Sequence, residues 1–97
     1  MAKKILIVDD AQVDRTNLEK IVAEAGHVVL LADSGAQALE RAKHDQPDLI
    51  FMDVNMPGMD GFAATRKLKA DDATKSIPVV FVSSKNQKAD QAWGGRC

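Results

Sequence analysis

Four short apolar runs, at residues 4–8, 27–32, 49–52 and 79–82, recur along the chain with helix-period segments between them. Each run is rich in β-branched or large aliphatic side chains and none alternates cleanly with polar residues. The pattern predicts strands of a sheet covered on both faces, which is the habit of parallel sheets. Between the first two runs, Leu18, Ile21, Val22 and Ala25 fall at i, i+3, i+4 and i+7 on one helix face, and Gly26 follows as a C-terminal cap. Ser34 with Gln37 three residues on forms a capping-box pattern, opening a helix through Ala38, Leu39 and Ala42 that must stop before Pro47. The stretch "NMPGMDG" at 55–61 is loop chemistry, with Asp60 placed to cap a helix through Phe62 and Leu68. Pro78 marks the entry to the fourth run, and Ser84 with Gln87 opens a last helix carrying Ala89, Ala92 and Trp93. Strand and helix alternating as β-α-β-α-β-α-β-α implies right-handed crossovers and an α/β fold, a doubly wound parallel sheet.

The 97-residue chain has the length of one domain, able to bury about 60–70% of its unfolded surface, so a single globular unit over residues 1–97 is expected. Apolar residues at 45% and charged residues at 28% are too balanced for a disordered chain. A net charge of -1 offers neither the basic footprint of a nucleic-acid binder nor a polybasic membrane surface. Lys3 and Lys4 precede an apolar run far shorter than a secretory signal, and no stretch approaches a membrane span, so the expected location is cytoplasmic. The lone cysteine, Cys97, excludes an internal disulfide framework and fits a reducing compartment.

Three of the four runs end in polar groups: Asp9 and Asp10 after the first, Asp53 after the third, Ser83 and Ser84 after the fourth. Ligands of open α/β sheets bind outside the carboxyl ends of strands, at the point where the strand order reverses. With the order 2-1-3-4, the first and third strands are neighbours. The carboxylates of Asp9, Asp10 and Asp53 then converge, with the Ser83 hydroxyl one strand away. Converging carboxylates raise one another's pKa unless a cation sits among them. Oxygen donors without histidine or cysteine favour a hard ion, and Mg²⁺ fits best. A carboxylate can also serve as a nucleophile toward phosphorus, and Asp53 is the natural candidate. The competing reading makes each acid a helix cap or a solvated turn residue and Ser83 a turn former; it weakens when all four land on one sheet edge. Asp60 is assigned to capping, Met56, Met59 and Trp93 to packing, and His27 and His44 to ordinary surface or strand-edge positions.

At these residues the sequence resembles the receiver domain of bacterial response regulators, through "ILIVDD", "DLIFMDVNMPGMDG" and "IPVVFVSS" in matching order and spacing. It is similar overall to the single-domain regulators of chemotaxis and twitching motility. The resemblance implies a flavodoxin-like fold and a phosphoryl group accepted on Asp53 from a histidine kinase. It implies Mg²⁺ held by the carboxylates of Asp10 and Asp53 and the main-chain carbonyl of Asn55, with Asp9 contributing largely through water. Ser83 matches the hydroxyl position that bonds the phosphoryl oxygen, and a downstream motility or signalling protein would read the modified state. The match runs from Lys3 to about Trp93. The family's fifth strand, ending in a lysine, and fifth helix have no counterpart before Cys97, and Lys85 is too close to Ser83 to replace that lysine. On this reading the receiver is incomplete at its C-terminal end, its switch couples poorly, and its apolar fourth strand invites homodimerisation along that edge or by exchange of elements.

Two other classes compete with a phosphoacceptor module. A Mg²⁺-dependent phosphohydrolase with an aspartate nucleophile usually carries Asp-x-Asp after its first strand, whereas Asp9 and Asp10 are adjacent. An inactive fragment or interaction module would keep the fold without the switch.

Overall fold

The computed structural model describes residues 2–82. The expectations that fall on Ser83, Ser84 with Gln87, Lys85, Trp93 and Cys97 lie outside the described residues. Within them the order is β1 (Lys4–Val8), α1 (Gln12–Glu24), β2 (Val28–Ala32), α2 (Gly35–Asp45), β3 (Leu49–Asp53), α3 (Gly61–Ala70) and β4 (Val79–Val82). The strands form one parallel sheet in the order β2-β1-β3-β4, as expected. Among the described residues no helix is long and apolar enough to cross a membrane.

The absence of polar alternation in β1 has a direct cause. Leu6 and Val8 point to one face and Ile5 and Ile7 to the other, and all four are buried. On the first face Ile50, Met52 and Ala32 join Leu6 and Val8 beneath Ala38 and Ala42 of α2 and Ala64 and Leu68 of α3. On the second, Val22 and Leu18 of α1 pack over Ile5, Ile7, Val29 and Leu31, with Leu49 and Phe51 at the flank. Met56 is buried in the first core and Met59 packs against it, in the roles expected of them.

Local signals explain most element ends. Ser34 Oγ accepts the Gln37 main-chain N–H at 3.1 Å. The Gln37 side chain reaches one residue further out than a capping box requires, accepting from the N–H of Asp33 at 2.7 Å. Gln46 closes α2 in the left-handed conformation just before Pro47. Asp60 caps α3, its Oδ1 accepting from Ala63 N–H at 2.7 Å. His27 sits just ahead of β2, where its Nδ1 accepts the Lys3 N–H at 3.1 Å, and His44 is exposed in the last turn of α2.

The expected face of α1 needs correction. Val22 is buried and Leu18 half-buried, but Ile21 is 62% exposed and Ala25 is exposed too. The helix rests on β1 and β2 along a narrow strip, and among the described residues no element flanks its other side. At the opposite end of the sheet β4 is the edge strand, with Val80 44% and Phe81 40% exposed. The Phe81 ring lies 4.8 Å from that of Phe62 at the start of α3.

Gly61 decides how closely α3 approaches the sheet. A Cβ at this position would lie 2.2 Å from the main-chain oxygen of Asp53 and 3.0 Å from Met52 Cγ, and Gly61 N–H donates to Val54 O at 3.0 Å. Backbone cannot yield as a flexible side chain does, so Gly61→Ala should destabilise the protein by about 2 kcal/mol or more, within the usual range for overpacking. Denaturant titration with an unchanged slope and a lowered midpoint would register this; an unchanged midpoint would contradict it.

Candidate functional site

The carboxyl ends of β1 and β3 are adjacent, and the chain leaves both strands at an acid. Asp9 follows Val8 directly and stays in the ladder by donating its N–H to Ala32 O at 3.1 Å. It is only 3% exposed. Its Oδ1 accepts the N–H of Ala11 at 2.9 Å, and its main-chain carbonyl accepts from the Arg15 guanidinium at 2.7 Å. Asp53 is the last residue of β3, one residue later than the predicted strand end, and is completely buried. Its Oδ1 accepts the N–H of Asn55 at 3.2 Å. Asp10 stands nearer solvent and lines a shallow cleft with Asn55, Met56, Pro57, Asp60 and Phe62.

Asp9, Asp10 and Asp53 each place one carboxylate oxygen so that all three lie within 4.8 Å of one another. The structure therefore brings together the three acids singled out from the sequence, with Asn55 alongside. The larger hollow between α2 and α3, about 730 Å³ and lined by Leu39, Lys43, Leu68 and Thr74 among others, lies away from these acids. Converging charge, not volume, marks the site.

The electrostatic consequence appears at Asp53. Burial pushes its pKa up from 3.8 to about 6, and the neighbouring charge of Asp9 pushes it the same way. The Asn55 N–H works against this by stabilising the charged form, and Asp14, in the first turn of α1, adds a weaker upward push. The donor set fits a hard divalent cation: it is all oxygen, negatively charged and narrow. Oxygens bound to one Mg²⁺ at about 2.1 Å stand about 3–4 Å apart, so this cluster suits the ion with small adjustments or with one carboxylate joined through water.

Two residues of this neighbourhood carry no clear sequence signal. Arg15 reads from the sequence as one more charge on a helix face, yet its side chain folds back six residues to Asp9. Asp14 reads as a first-turn acid favoured by the helix dipole, yet its charge reaches Asp53.

The fold is thus a doubly wound parallel sheet with an acidic cluster where β1 and β3 end. The sequence matches the response regulator receiver domain over residues 5–93, and the chain belongs to that family. It is 42% identical over 93 residues to Protein PilH of Pseudomonas aeruginosa, covering 96% of this chain and 77% of that protein. It is 46% identical over 78 residues to the chemotaxis protein CheY of Bacillus subtilis, covering 79% of this chain and 65% of that protein. The receiver domain of a Pseudomonas aeruginosa sensor histidine kinase, whose crystal structure has a magnesium ion coordinated in the active-site cleft, superimposes with a TM-score of 0.82. That match is 29% identical and covers 95% of this chain and 75% of that one.

Because the folded state holds the Asp53 proton more tightly than the unfolded chain, its contribution favours folding below pH 3.8 and is lost as pH rises through about 6. In metal-free solution Asp53→Asn should therefore gain stability over the parent between pH 5 and pH 7. Parallel melting curves for the two proteins across that interval, with chelator present, would refute the assignment.

Proposed function

We propose that this receiver accepts a phosphoryl group on Asp53 from a histidine kinase in a Mg²⁺-dependent phosphorelay. The observation that carries the reading is the meeting of Asp9, Asp10 and Asp53 within 4.8 Å at the ends of β1 and β3, with Asp53 fully buried. Asp10, Asp53 and the main-chain carbonyl of Asn55 would hold the ion, with Asp9 acting largely through water. When bound, Mg²⁺ neutralises charge on the phosphoryl oxygens and keeps Asp53 ionised. A lone pair on the Asp53 carboxylate then forms the new O–P bond while the donor's P–N bond breaks and the imidazole recovers a proton. Asn55 N–H, already on Asp53 Oδ1, holds one oxygen of that carboxylate in place. Ser83, outside the described residues, is assigned to phosphoryl contact by the family resemblance alone.

In this role residues 5–93 act as one receiver unit, a phosphoacceptor and not a turnover enzyme. The added charge, about -1.5 to -2, biases a two-state element whose surface a partner reads. Likeness to a chemotaxis protein supports an output in motility or chemotaxis.

Incubation with acetyl phosphate and Mg²⁺ should add the mass of one phosphoryl group, and Asp53→Asn should not gain it. Continuous release of many phosphates per chain would point to a hydrolase, and no modification to an inert interaction module. Mg²⁺ at about a hundred times its Kd should stabilise the parent by about 2.7 kcal/mol, and Asp10→Ala should lose most of that increment in a thermal-shift titration. The exposed apolar edge of β4 supports self-association of the chain: average mass by light scattering should rise with concentration and stop rising in Val80→Lys.

A further inference from the structure

Asp9 is buried beside Asp53, whose carboxylate it repels. Hydrogen bonds at its N–H, its Oδ1 and its carbonyl help to keep it there. Its N–H is tied to Ala32 O by the sheet, and its Oδ1 takes the Ala11 N–H by a local turn. Neither engages the Asp9 carbonyl oxygen, which lies beyond the ladder because β1 has ended. That carbonyl is held at 2.7 Å by the Arg15 guanidinium, a charge-assisted bond from a half-buried side chain.

We propose that Arg15 is a positioning residue for the ion site: by clamping the Asp9 carbonyl it sets the orientation of the peptide joining Asp9 to Asp10, and through it the aim of both carboxylates. This rests on the functional reading above and adds to it the residue that orders two of its ligands. Arg15 itself touches neither ion nor phosphoryl group. The first turn of α1 makes the clamp available, since Arg15 N–H takes the first helical bond, to Ala11 O at 3.0 Å, and so locates the base of the side chain. Ala11, the N-cap, supplies no side-chain bond of its own, and Arg15 joins the Asp9 carboxylate in tying this turn to the end of β1.

Calorimetric titration of the full chain with Mg²⁺ tests the proposal without recourse to phosphorylation. Arg15→Ala should weaken Mg²⁺ binding about tenfold or more, in line with residues that orient metal ligands elsewhere, while still melting cooperatively in chelator. Should Arg15→Ala fail to fold, Arg15→Met keeps the aliphatic stem and is expected to show the same loss. In an Asp10→Asn background the Arg15→Ala effect should shrink to less than about twofold, because the direct ligand whose aim Arg15 sets has lost its charge. Phosphorylation of Asp53 in Arg15→Ala should recover toward the parent rate at saturating Mg²⁺. An unchanged Mg²⁺ affinity, or a tenfold loss that persists undiminished in Asp10→Asn, overturns the proposal and leaves the phosphoacceptor reading standing. Failure of the parent protein to take up Mg²⁺ removes that reading and this inference with it.

Discussion

Repulsion among the carboxylates at the end of β1 and β3 is the interaction on which the rest of the structure depends. Nothing local would gather Asp9, Asp10 and Asp53, since burial and mutual charge both favour their dispersal. They are gathered because β1 and β3 lie side by side at the centre of the sheet, held by two buried faces and by helices on each. Apolar packing thus does electrostatic work. The folded chain stores unfavourable charge interaction that a divalent ion in the proposed site would relieve, which would couple the energetics of the core to the chemistry at its rim.

The arrangement also explains a division of labour among acids of similar sequence appearance. Asp60 and Asp9 both take a nearby main-chain N–H, but Asp60 is exposed and finishes a helix, whereas Asp9 is buried and cannot avoid Asp53. Asp53 differs again, since the Asn55 N–H favours its ionised form while its surroundings oppose it. Depth and neighbours, not residue type, separate a cap from a member of a reactive site.

Much of this was legible in the residues because periodicity and punctuation coincide. The apolar runs of β1 and β4 match the observed strands residue for residue, and "DD" and Asp53 mark where two strands surrender to polar chemistry. Ser34 and Asp60 announced helix starts through local hydrogen bonds that need no tertiary context. What escaped reading depends on contacts between distant elements. The exposure of Ile21 follows from which strands α1 covers, and helical spacing reports only that Leu18, Ile21 and Val22 share a side. The reach of Arg15 to Asp9 depends on how β1 feeds into α1, and an arginine on a helix gives no hint of it. The Gln37 side chain chose Asp33 over Ser34 for the same reason: the pattern names the partners, and the backbone path settles the bond.

Hydrogen is the only side chain that fits between α3 and the Asp53 carbonyl. With Gly61 also bonded to Val54, the root of the helix and the end of β3 form one stiff joint. Substitutions on the outward surface of α3 leave this joint intact, whereas any side chain at the position beneath it would force the helix off the sheet.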